Sequence, residues 1–88
     1  MKYVKLDCSV MVDEATVHDE FARGMEFPET YGRTLDALYD LLSTCGETEL
    51  TLSQAGELWK LHRYGENLKL TVKDAEAANP LLTLVMEE

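Results

Sequence analysis

The chain is 88 residues long, with 45% hydrophobic and 28% charged residues, which is typical of one small globular domain and predicts a single domain over residues 1–88. Acidic residues outnumber basic residues by 17 to 8, and the net charge of −9 argues against direct binding to nucleic acid or anionic membranes. The charge either attracts a cationic partner or simply keeps a small protein soluble.

The first half of the chain predicts one strand followed by two helices. Residues 2–7 are rich in β-forming residues and alternate in polarity, as strands do. Asp13 is a good helix N-cap, and the apolar spacing after it predicts a helix ending near Gly24 or Met25. Thr34 is the predicted N-cap of a second helix. This helix carries leucines on one face, all expected in the core: Leu35, Leu38, Leu41 and Leu42.

The second half predicts a strand, a short helix, an ambiguous segment and a final strand. The stretch "ETELTLS" alternates like a strand and ends at Ser53, which can also cap a short helix running to Leu61. The segment 66–79 begins with strand-like alternation, but its charged, alanine-rich continuation favours a helix that stops at Asn79. The apolar run "LLTLVM" predicts a buried strand. Strands separated by helices predict an α/β fold, a small three-stranded parallel sheet with helices packed on it.

The cysteines and histidines do not indicate a metal or redox site. Cys8 and Cys45, in a chain without a charged and apolar leader, predict reduced thiols and a cytoplasmic location. No apolar run is long enough for a membrane span. With His18 and His62, the cysteines match no zinc-ligand spacing, so we expect no metal and no cofactor. Trp59 is a candidate recognition aromatic, but we expect it to pack in a partly buried position.

The second predicted helix carries two acids, Asp36 and Asp40, one turn apart and on the face opposite its leucines. Like charges at this spacing cost a helix about 0.2–0.5 kcal/mol, so helix stability does not require the pair. Tyr39 lies beside the acids, and the turn "FPETYG" presents further polar and aromatic side chains just before them. These residues form either a candidate binding surface or a solvated face that happens to be acidic.

The run "FPETYGRTLDALYDLL" resembles the signature of the barstar family, intracellular inhibitors of extracellular ribonucleases such as barnase, and the likeness covers essentially the whole chain. The resemblance implies a barstar-like fold, no enzymatic activity, a free monomer, and a basic secreted ribonuclease of the barnase type as partner. It also implies that Asp40 takes the place of a substrate phosphate, because a carboxylate accepts paired N–H bonds from arginine. The implied partner-binding residues are Glu29, Thr30, Tyr31, Gly32, Thr34, Asp36, Tyr39, Asp40 and Asp74.

Three of these positions depart from the family pattern. Thr30 stands where the family has an aromatic residue, Thr34 replaces an asparagine, and Asp74 has a shorter side chain than the acid it matches. These departures indicate either a target nuclease other than barnase or the loss of an aromatic contact worth on the order of 1 kcal/mol or more. The main alternative is therefore a non-enzymatic regulatory or immunity module of the same fold that binds a different basic protein. A carboxylate-based enzyme is disfavoured, because the acids share one small helix face without an evident cleft.

Overall fold

The computed structural model describes all residues from 1 to 88 and contains three strands and three α-helices. In chain order they are β1 (Lys2–Asp7), α1 (Glu14–Met25), α2 (Leu35–Ser43), β2 (Thr48–Ser53), α3 (Arg63–Ala78) and β3 (Leu82–Met86). Two 3₁₀ segments follow the first two strands, Cys8–Val10 and Ala55–Leu61. The strands form one parallel sheet in the order β1-β2-β3. The predicted α/β class with a three-stranded parallel sheet is confirmed.

The helices cover one face of this sheet. Burial alternates along β1, where Val4 and Leu6 are buried while Tyr3 and Lys5 are exposed. The central strand β2 continues the buried face, since Leu50 pairs in parallel register with Val4. Parallel sheets are usually covered on both faces, so this alternation marks a two-layer arrangement with one face open to solvent. The apolar side chains between the layers form one cluster of 18 buried residues.

The predicted caps of α1 and α2 are confirmed. The Asp13 carboxylate accepts the Thr16 N–H at 2.9 Å, and the Thr16 hydroxyl accepts the Asp13 N–H in return, a reciprocal cap at the start of α1. Thr34 caps α2, because its hydroxyl oxygen accepts the Ala37 N–H at 3.0 Å. The ambiguous third segment is helical and ends before Asn79, as predicted. No helix has both the length and the apolar character that crossing a bilayer requires.

Three local predictions are wrong, and each error has a tertiary cause. In β3 only Leu82 is fully buried and Thr83 is exposed, because β3 is an edge strand on a sheet with one open face. Trp59 is 66% exposed rather than partly buried, since the 3₁₀ helix that carries it turns its leucines inward instead. Ser53 remains in β2, and the 3₁₀ helix begins after Gln54 without a side-chain cap.

Candidate partner-binding site

Helix α2 is fixed on its inner side by apolar packing and at its end by α3. Leu38 and Leu42 are fully buried, whereas Leu35 and Leu41 are only partly buried at the edges of the apolar stripe, which corrects the expectation that all four lie in the core. The Asn79 amide donates to the Leu42 carbonyl oxygen at 2.9 Å, where the helix has carbonyl groups without helical partners. The opposite face of α2 is therefore held rigidly toward solvent.

The acids of α2 point to solvent and have no partner in the chain. Asp36 and Asp40 are both exposed, and neither carboxylate takes part in an ion pair. Only the backbone carbonyl of Asp40 is engaged, by the hydroxyls of Ser43 and Thr44 at 3.1 and 2.8 Å. Asp36 lies in the first turn of α2, where the helix dipole favours a negative charge. Both carboxylates are free to accept hydrogen bonds from another molecule.

A small depression lies between α2 and the turn that precedes it. Its volume is about 210 Å³, and its walls are formed by Pro28, Thr30, Tyr31, Gly32, Ala37, Asp40 and Leu41. Small-molecule sites usually occupy roughly 300–1,000 Å³, so this depression suits one side chain better than a cofactor. We call the turn 28–34, together with Asp36, Tyr39 and Asp40, the acidic face.

Tyr31 anchors the turn from below the surface. Its side chain is only 8% exposed, and its hydroxyl lies 2.6 Å from His18 Nδ1. The Tyr31 ring also packs against Phe27, with 4.7 Å between the ring centroids. A partner can therefore reach Tyr31 only through the depression that it lines, and its main visible role is to attach the turn to α1.

His18 connects three parts of the chain. Its Nδ1 contacts the hydroxyl of Tyr31 and its Nε2 contacts the hydroxyl of Tyr64 on α3, both at 2.6 Å. A neutral imidazole has one donor and one acceptor nitrogen, so one tyrosine donates to the ring and the other accepts from it. Burial, followed by the nearby positive charge of Arg33, lowers the pKa of His18 and favours this neutral form. Burial likewise raises the pKa of Tyr31 and of Tyr64.

The other predicted residues differ in how far a partner can reach them. Glu29 and Thr30 are exposed, and Thr30 forms part of the rim of the depression. Gly32 is exposed as well, and a Cβ there would lie 3.2 Å from the Ala37 side chain. The hydroxyl oxygen of Thr34 is exposed but already accepts a bond at the start of α2. The turn therefore offers a partner its backbone and two flexible side chains.

The remaining two predicted residues lie on neighbouring helices. Tyr39 is half-buried on α2 and packs against the core. Asp74 is exposed on α3, the helix that packs against α2, but it does not line the depression. The structure thus brings four of the predicted residues around one depression and leaves five outside it: Thr30, Tyr31, Gly32 and Asp40 line it, whereas Glu29, Thr34, Asp36, Tyr39 and Asp74 do not.

Residues that support the site were missed by sequence reasoning. His18 was not recognised as a bridge, because its partners lie 13 and 46 residues away and leave no local pattern. Arg33 was not singled out either, although it lies in the turn and bonds to Asp19 on α1. The only signal in the sequence was a positive charge within an otherwise acidic run.

The cysteines and the metal-ligand residue types form no second site. Cys8 and Cys45 are both free thiols, and no cluster of three or more His, Cys, Asp or Glu side chains could hold a metal ion. The pKa of the Cys8 thiol is raised to about 11, mainly by burial and to a lesser extent by the negative charges of Asp7 and Glu20. This thiol therefore stays protonated and unreactive at neutral pH.

The fold and the site together define a small two-layer α/β protein that presents unpaired carboxylates beside a depression the size of one side chain. The chain belongs to the barstar family: the family model described as "Barstar (barnase inhibitor)" matches residues 1–80. This is a family of inhibitors rather than of enzymes. A search of the curated proteins found no match to this chain.

Proposed function

We propose that this protein inhibits a basic, secreted ribonuclease of the barnase type by covering the enzyme's active site with the acidic face. The observation that carries the proposal is the exposed Asp40 carboxylate, which has no partner in the chain and lies in the wall of the depression. Family membership independently supports the inhibitory role. The protein would act from the cytoplasm, before the enzyme is exported.

The chemistry of RNA cleavage explains why a carboxylate suits this task. A ribonuclease must hold an anionic phosphate, so its active site presents arginine, lysine or histidine side chains. Asp40 can accept two parallel N–H bonds from a guanidinium group, as a phosphate does. Once water is excluded from the interface, this attraction becomes stronger than it is in solvent. Asp36, one turn away, offers a second acceptor to the same cationic cleft.

The shape of the acidic face supports the same proposal. The depression has room for one planar cationic side chain, with Asp40 on one wall and Thr30 at the rim. Tyr31 and Leu41 supply apolar wall area that would exclude water around the ion pair. The net charge of −9 would also draw a basic enzyme toward the protein and increase the association rate.

The second candidate is a regulatory or immunity module that binds a different basic protein through the same face. Thr30 favours this alternative, since it stands at the rim where the family pattern has an aromatic residue, and a threonine cannot stack on a flat side chain. In this case the acids would still pair with cations, but RNA cleavage by barnase-type enzymes would be unaffected.

The two candidates are separated by calorimetric titration of the protein into a barnase-type ribonuclease, with RNA cleavage followed in parallel. Inhibition predicts one-to-one binding and loss of cleavage at the same equivalence point. A matched control is Glu88→Ala, which removes one negative charge beside the 3₁₀ helix and should leave binding unchanged. Absence of binding by the unaltered protein would reject the ribonuclease as partner and favour another basic protein.

A further inference from the structure

Arg33 is the one basic residue in the acidic face, and its backbone has an unusual conformation. Its φ is 56°, in the left-handed region that residues with a side chain rarely adopt. A conformation of this kind persists only where surrounding contacts impose it.

The hydrogen bonds of the Arg33 side chain both go to α1. Arg33 Nη2 donates to Asp19 Oδ1 at 2.7 Å and to the carbonyl oxygen of Ala15 at 3.0 Å. Ala15 and Asp19 are four residues apart and therefore lie on one side of the helix. His18, which bonds to Tyr31, lies between them in sequence. Helix α1 is thus hydrogen-bonded to the turn at two residues, Tyr31 and Arg33, on either side of Gly32.

The ion pair also removes a charge conflict. An unpaired Arg33 would place a positive charge beside Asp36 and Asp40, where a basic partner has to approach. Asp19 balances that charge from within the chain, at an ion-pair distance of 2.7 Å. The same contact therefore fixes the geometry of the turn and preserves its negative potential.

We infer that Arg33 is a positioning residue, which Asp19 and the Ala15 carbonyl hold on α1 so that the turn keeps the conformation that fits the partner. The expected effect on binding rests on the proposed function, but the contacts of Arg33 with α1 are a property of the free protein. The side chains of Arg33 and Asp19 are 44% and 65% exposed, so the effect is modest. Loss of such a pair corresponds to a change of roughly three- to fivefold.

The experiment combines hydrogen exchange on the free protein with dissociation rates from a barnase-type ribonuclease. The Tyr31 amide, which bonds to the Pro28 carbonyl at 2.9 Å, reports on the turn. In Arg33→Ala and in Asp19→Ala we expect this amide to exchange, and the complex to dissociate, roughly three to five times faster. As a control, Lys5→Ala removes another exposed, ion-paired cation, from the open face of the sheet, and should change neither rate.

Two further variants make the result specific to the pair. The double alanine variant should match the single ones, because each single change already breaks the contact. Exchanging the charges with Arg33→Asp and Asp19→Arg should bring the Tyr31 exchange rate and the dissociation rate part of the way back to those of the unaltered protein. Unchanged Tyr31 exchange in Arg33→Ala would overturn the inference. So would equal acceleration at the Thr48 amide, which bonds to the Leu81 carbonyl oxygen at the buried start of the central strand and reports on global stability. If the unaltered protein fails to bind the ribonuclease, the proposed function fails while the exchange data still decide the inference.

Discussion

Replacing Asp40 with alanine should weaken binding substantially while leaving the fold intact. The carboxylate forms no ion pair within the chain and is exposed, so its loss should change the unfolding free energy by no more than about 0.5 kcal/mol. Relief of the repulsion with Asp36 even favours the variant by about 0.2–0.5 kcal/mol. In the complex, a buried charge of this type contributes at least about 2 kcal/mol, equivalent to an approximately 30-fold rise in Kd.

Calorimetry and RNA cleavage would measure the Kd and the inhibition, and denaturant unfolding would measure stability in the same samples. Glu88→Ala provides the matched control, because it removes one negative charge, as Asp40→Ala does, from a residue that lies beside Gly56 and does not line the depression. A variant that keeps its affinity would show that Asp40 does not lie at the centre of the interface. A variant that unfolds would show that its exposed carboxylate has a structural role that the contacts of the free protein do not reveal.

Three further results follow from the structure. The pKa of His18 in the folded protein lies below its ordinary value of 6.5, so the unfolded chain takes up the proton first as the pH falls. The free energy of unfolding should therefore be highest above pH 6.5 and decline below it. In His18→Gln, denaturation midpoints measured over this range should depend less on pH. Gly65→Ala should cost about 1–3 kcal/mol in chemical denaturation, because the new Cβ would overlap the Leu58 carbonyl oxygen, whereas Gly46→Ala meets no atom within 4 Å and should not destabilise. Association with the ribonuclease, followed by stopped flow, should slow markedly from low to moderate salt while dissociation changes little; a rate independent of salt would contradict electrostatic steering.

Much of the secondary structure could be predicted because its causes are local. Asp13 and Thr34 start helices through bonds to amides three residues away, which a short window of sequence contains. Strand β1 was predicted at its observed bounds from the alternation of its own side chains. The order of elements then indicated a parallel sheet, since parallel neighbours need long connections.

Errors arose where burial depends on what lies opposite a segment. The apolar composition of β3 cannot reveal that it becomes an edge strand with one side open, because strand order is a property of the whole sheet. Trp59 has a large, mostly apolar side chain, which favours burial, yet the 3₁₀ helix turns Leu58 and Leu61 inward and leaves the tryptophan 66% exposed. Both outcomes were decided by packing partners distant in sequence.

The same division applies to the acidic face. The sequence by itself determined the acids Asp36 and Asp40 and their spacing on one side of a helix, because helical periodicity places residues four apart on the same side. Only the tertiary structure decided that Tyr31 turns inward to His18 and that Arg33 is held by Asp19, since these partners are 13 and 14 residues apart and meet only when α1 packs beside the turn. Charge and periodicity are carried by neighbours along the chain, whereas the shape of the surface comes from contacts that the folded core brings together.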